Sequence, residues 1–100
     1  MAFRCRLNGV NITALVDNGA EVNLISKKLS DYLDLQTAST TTNLSWFDGS
    51  TSPSNSMINT LSFTLNGVTS AATELVVAPM CTFDLILGAP WLDDNQVVLD

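Results

Sequence analysis

Apolar residues in this chain come in short alternating runs separated by turn-forming pairs, the period-two pattern of strands and not the longer rhythm of helices. Residues 3–7 and 10–16 are two such runs. Asn8-Gly9 between them accepts the positive φ angles of a type I′ turn, so the three parts predict a hairpin. Val10, Ile12, Ala14 and Val16 share one face of its second strand. Thr13 and Leu15 take the other, and Asp17 follows on that second face where the strand ends. Residues 22–25 predict another short strand. Ser26 then offers a side-chain cap for a brief helix over 27–33, with Leu29, Tyr32 and Leu33 on one side.

The middle of the chain is more polar. Residues 36–43, rich in Thr and Ser, suit an exposed strand or a loop. Residues 44–47, the Asp48-Gly49 pair and the polar stretch 50–56 around Pro53 predict a protruding hairpin with Trp46 and Phe47 beside its tip. Residues 57–65 and 68–77 alternate well enough for strands, again joined by an Asn-Gly pair at 66–67. Residues 83–87 form an apolar run broken only by Asp84. Gly88 ends that run, Pro90 favours a helical turn over 89–94, and 97–99 read as a last strand. The sum is one all-β domain over residues 1–100 with one or two short helices, and no repeat or low-complexity linker divides it.

Composition narrows the chemistry. The chain is 46% hydrophobic, enough for a modest core that association with a second copy would extend. Four basic residues against ten acidic ones give a net charge of -6, with the basic ones in two isolated pairs, so a direct nucleic-acid partner is not expected. No apolar run approaches the roughly 20 residues of a bilayer-spanning helix, and no membrane partner is expected. With no histidine, Ser-His and Cys-His catalysis are excluded in their usual forms. Cys5 and Cys81 are too few and too far apart for a metal spacing, so neither metal nor other cofactor is expected. Parity alone would allow a disulfide between them; reduced, buried thiols fit better with the expected setting, an intracellular protein or a domain cut from a longer polyprotein.

The informative chemistry lies in two segments about seventy residues apart. Leu15-Val16-Asp17-Asn18-Gly19-Ala20 delivers an aspartate from an apolar strand into an Asp-x-Gly-Ala turn, and Asp84-Leu85-Ile86-Leu87-Gly88 is an apolar run that closes on glycine. Taken alone, Asn18-Gly19 is as good a hairpin signal as the pairs at 8–9 and 66–67, and it leaves open a small β-sandwich binding domain. The order of parts favours another reading. Strand, Asp-x-Gly-Ala, strand, a mid-chain Asp-Gly hairpin, a second hairpin, and Asp-x-Ile-Leu-Gly-x-x-Trp-Leu near the end together resemble the retropepsins, in particular the gypsy-class LTR retrotransposon proteases, over nearly the whole chain.

That resemblance implies a closed, retropepsin-like acid protease fold acting as a homodimer, in the cytoplasm or within virus-like particles, on peptide or polyprotein substrates at apolar sites. Asp17 falls on the catalytic aspartate, with Asn18, Gly19 and Ala20 completing its loop. Leu15 and Ile86 fall on pocket-lining positions, and Glu21 falls where side chains meet substrate backbone. Trp46, Phe47, Asp48 and Gly49 fall on the flap that closes over substrate, residues 86–88 on the strand behind the catalytic loop, and residues 97–99 near the terminal dimer strands. Two positions depart from the family pattern. Asn18 stands where the family carries Ser or Thr, whose hydroxyl clasps the partner loop across the dimer axis, and Ala89 stands where viral members carry a basic residue. The first departure motivates an alternative, a catalytically weak or inactive dimerisation domain. Trp91 reads as a core anchor, Asp84 as a strand-end hydrogen-bonding group and not a second catalytic acid, and Asp93-Asp94 as a solvated turn.

Overall fold

The computed structural model describes residues 1–45, 51–79 and 82–95, with the backbone alone for 41–45 and 51–55. Seven strands and two short helices follow in the order β1 (Ala2–Leu7), β2 (Val10–Val16), β3 (Asn23–Ser26), α1 (Lys27–Tyr32), β4 (Ala38–Ser45), β5 (Thr51–Leu65), β6 (Val68–Ala78), β7 (Leu85–Leu87) and α2 (Ala89–Asp94). Both outer hairpins are set by their Asn-Gly turns. Asn8 and Gly9 have φ 50° and 80°, Asn66 and Gly67 50° and 85°, so each pair takes the left-handed angles that match the twist of the flanking strands. The first turn fixes a register from Leu7 opposite Val10 to Ala2 opposite Leu15.

Strand order is β1-β2-β7-β3-β6-β5-β4, and β1 also pairs β5. Six strands therefore close into a barrel, which leaves no free edge among them, while β4 adds to the outer edge of β5. Two crossings of the barrel are parallel, β2 with β7 and β3 with β6, and β3 with β7 is antiparallel. The core holds alternate residues of these strands, with Leu7, Ile25, Leu75, Leu85 and Leu87 fully buried. Each such side chain contributes on the order of 1.5–3 kcal/mol by leaving water. Val16 and Ala14 point inward as their spacing predicts, and Cys5 is a free, buried thiol within the same cluster.

Two predicted elements merge or shift. The polar stretch 50–56 and the apolar stretch 57–65 form one strand of 15 residues, whose first part pairs only β4, from Ser45 opposite Thr51 to Ala38 opposite Met57. Pro53 is tolerated there because it lies before β6 begins to pair at Met57, so the strand has a neighbour on one side only. These two strands form an arm that leaves the barrel. In α1, Ser26 caps the helix by accepting from the Leu29 N–H at 3.1 Å, as expected, but Tyr32 is 74% exposed. Ser30 takes the buried place beside Leu29, and the chain leaves the helix at Leu33 before a second apolar turn can form. Among the described residues no helix is long and apolar enough to cross a membrane. The expected tip residues Trp46 to Gly49, the last strand 97–99 and Cys81 lie outside the described residues.

Candidate active site

Asp17 sits where β2 stops. Its N–H donates to the Leu87 carbonyl at 3.0 Å, continuing the parallel β2–β7 ladder one residue past Val16 and holding the start of the loop against β7. The loop then turns on itself: the Gly19 N–H donates to Asp17 Oδ1 at 2.8 Å and the Ala20 N–H to the Asp17 carbonyl at 3.2 Å. One carboxylate oxygen is thus oriented by the backbone. The other, Oδ2, takes no hydrogen bond among the described residues, and the side chain is half-buried at the barrel's end.

Asn18-Gly19 is not a hairpin turn. Neither residue has positive φ, unlike the pairs at 8–9 and 66–67, and the strand before it pairs in parallel with β7. Glycine here leaves the carboxyl undisturbed, because a Cβ at position 19 would sit 3.2 Å from Asp17 Oδ1 and press it aside by a few tenths of an ångström. With the sheet closed into a barrel, the two-layered β-sandwich alternative is also overturned. Asn18 and Glu21 are both exposed.

Behind the loop, the backbone of residues 87–89 grips it at both ends. Leu87 accepts from Asp17, and the Ala89 N–H donates to the Ala20 carbonyl at 2.8 Å. Gly88 between them fits only without a side chain, since a Cβ there would lie 2.5 Å from both the Ala20 and Val22 carbonyl oxygens. Leu15 and Ile86 are paired neighbours across β2 and β7, both half-buried, on the face opposite the fully buried Leu85 and Leu87. On that face Ile86 and Val22 pack on Leu24, Val76 and Ala78, a second apolar cluster outside the barrel interior. The structure therefore brings Asp17 and its loop together with Leu15 and Ile86 on adjoining strands. Trp46, Phe47, Asp48 and Gly49 are outside the described residues.

Two further residues are structural. Trp91 is buried and its Nε1–H donates to Ser70 Oγ at 3.1 Å, an anchor for α2 as predicted. Asp84 serves the strand end with its backbone, its carbonyl accepting from the Ser26 N–H at 3.0 Å. One residue has no counterpart among the sequence expectations. Asn23 is 1% exposed and bonds to both β6 and the Gly88 N–H, and its only sequence signal is an amide standing inside the apolar run 22–25.

Comparison with known proteins agrees with this geometry. The fold is similar to the retroviral protease-like domain of Ddi1 from Leishmania major, with a TM-score of 0.68 and 17% identity over 100% of this chain and 78% of that one. No curated protein sequence matches the chain. A family model, aspartyl protease, matches residues 3–91, which takes in the Asp17 loop, both outer hairpins and the glycine-closed strand behind the loop. The chain belongs to the aspartyl protease family and has a retropepsin-like fold.

Proposed function

We propose that the protein is a homodimeric aspartic endopeptidase of the gypsy-class retrotransposon type, cleaving extended polyprotein segments at sites flanked by apolar residues. The observation that carries this reading is the carboxyl of Asp17, fixed through Oδ1 by the Gly19 N–H with no bond to Oδ2 among the described residues, at the open end of a strand in a chain that has one such motif. One carboxylate cannot perform the chemistry. A second copy related by a two-fold axis would bring its own Asp17 alongside, and two carboxyls about 3 Å apart share one proton because both cannot ionise cheaply.

In that dyad the ionised Asp17 takes a proton from a water held between the two carboxyls, and the water oxygen bonds to the peptide carbonyl carbon. The protonated Asp17 of the partner subunit gives its proton to the carbonyl oxygen, forming a neutral tetrahedral diol. Collapse breaks the C–N bond as the amine nitrogen takes a proton from one carboxyl, a diol hydroxyl returns one to the other, and the pair is left singly protonated. Leu15, Ile86 and the apolar cluster beside them supply a surface for the side chains flanking the cut. Glu21 is exposed beside the loop, where it would meet substrate backbone. We assign Trp46, Phe47, Asp48 and Gly49 to a flap over the substrate on the strength of their sequence and of the paired arm, Ser45 opposite Thr51, on either side of them.

Asn18 favours a second reading, a retropepsin-like dimerisation domain with weak or no catalysis. Purified protein separates the two: sedimentation gives the mass, and apolar-flanked peptides give the cleavage rate. Asp17→Asn is expected to abolish cleavage and leave the dimer intact, since it keeps the side chain's shape and removes the titrating group. Cleavage by the variant at the parent's rate would place the chemistry elsewhere, and a dimer without cleavage by the parent would leave the second reading.

A further inference from the structure

We propose that Asn23 is the positioning residue that holds the Asp17 loop at its working height, acting through Gly88; this rests on the protease reading above. Among the described residues Asn23 is the most completely buried polar side chain, at 1% exposure. Its Oδ1 accepts from the Gly88 N–H at 2.9 Å, and its Nδ2 donates to the Thr73 carbonyl at 3.0 Å. The orientation is fixed by chemistry, because a flipped amide would set donor against donor and acceptor against acceptor. Thr73 lies next to Glu74, whose φ of 55° interrupts the regular β5–β6 pairing between Thr73 and Leu75, just before β6 also takes up β3 from Leu75 onward. At that irregularity the Thr73 carbonyl accepts from the Asn23 amide.

What Asn23 holds is the point of closest approach to the catalytic loop. Gly88 has no room to move toward the loop, with the Ala20 and Val22 oxygens already 2.5 Å from where a Cβ would stand. Its neighbours make the two bonds that grip the loop, Leu87 to the Asp17 N–H and Ala89 to the Ala20 carbonyl. Release of Gly88 therefore shifts both grips together, and with them the carboxyl that the Gly19 N–H orients. Displacements of about 1 Å in a reacting group cost on the order of a hundredfold in rate. Asn23 touches neither substrate nor the reacting atoms. Its effect on catalysis is transmitted through the backbone of residues 87–89.

The test uses Asn23→Asp, which keeps shape and volume. A neutral carboxyl has one donor and one acceptor and can make both bonds; an ionised one accepts from Gly88 but opposes the Thr73 carbonyl. Burial favours the neutral form, so the acid side of the titration restores the amide's pattern and the alkaline side removes it. The titratable groups on neighbouring segments are Asp17, Glu21, Glu74, Asp84, Asp93 and Asp94, and none forms a hydrogen bond or ion pair with Asn23. In the full-length chain, kcat of the variant relative to the parent, per folded protein, is expected to match it in acid and to fall by about tenfold or more as pH rises, with KM nearly unchanged. The amide proton of Gly19 is expected to shift with the same midpoint, relative to the parent, in nuclear magnetic resonance spectra. A purely structural Asn23 would alter stability and the Gly88 amide while leaving Gly19 and kcat alone, and that result would overturn the proposal. If the parent cleaves no peptide, the protease reading fails by itself, and the Gly19 shift still decides whether Asn23 positions the loop.

Discussion

Asn18 and Cys5 show how much one side chain can carry. A Ser or Thr hydroxyl is a single atom that donates and accepts at once, which suits a reciprocal clasp between two symmetry-related loops, whereas an amide must orient two atoms on a longer planar group. Asn18 is exposed on the single chain, where a partner loop can reach it. Asn18→Thr or Asn18→Ser is expected to tighten the dimer by about 1 kcal/mol per well-made hydrogen bond, read as a dimer dissociation constant. Looser dimers and slower cleavage in both variants would make Asn18 an adapted part of the site. Cys5 makes a separate prediction about pH. Burial pushes its thiol from 9.0 up to about 11, so the folded chain keeps a proton that the unfolded chain loses. Its contribution is intact below pH 9.0 and is lost as pH rises toward about 11, on the order of 3 kcal/mol at about 1.4 kcal/mol per pKa unit. Urea unfolding across that range is expected to show a steeper loss in the parent than in Cys5→Val, and equal losses would contradict it.

At the level of elements, the close approach of β7's end to the Asp17 loop is the feature most sensitive to change. Gly88→Ala puts a methyl against two backbone oxygens, of which Ala20's is already held by the Ala89 N–H, so neither can give way cheaply. The expected loss is about 1–3 kcal/mol of stability, together with turnover. A thermal melt and a cleavage rate for the variant check it, and an unchanged pair would show that the loop has more slack than the contacts allow. These elements were unequally legible in the sequence. The outer hairpins could be read at once because Asn8-Gly9 and Asn66-Gly67 encode their geometry locally, and Ser26 announced its helix. The arm formed by β4 and the first part of β5 was harder, since its polar residues pair with each other and leave no buried-face alternation to read. Tyr32 misled because the helix ends there, and Ser30 turns inward in its place. Asn23 was missed altogether: its two partners are backbone groups fifty and sixty-five residues away, and nothing local records them.

For the whole molecule, closure of six strands into a barrel explains how a chain of 100 residues presents a rigid aspartate loop at one end. The loop is bonded to β7, and β7 lies between β2 and β3 in the ring, so the site rests on paired strands and not on a free segment. The motif order along the sequence pointed to this architecture because each part is strand-sized and falls where the ring needs it. The proposed dyad would be a property of two molecules, and a mixing experiment addresses it directly. Parent chain and Asp17→Asn chain are combined at constant total concentration, allowed to exchange subunits, and assayed for peptide cleavage as the parent fraction is varied. If each site is built from two copies of Asp17, only parent–parent dimers are active and the rate falls as the square of the parent fraction. A rate that falls in direct proportion to that fraction would mean that each chain carries a complete site of its own, and the dyad shared between two copies would be wrong.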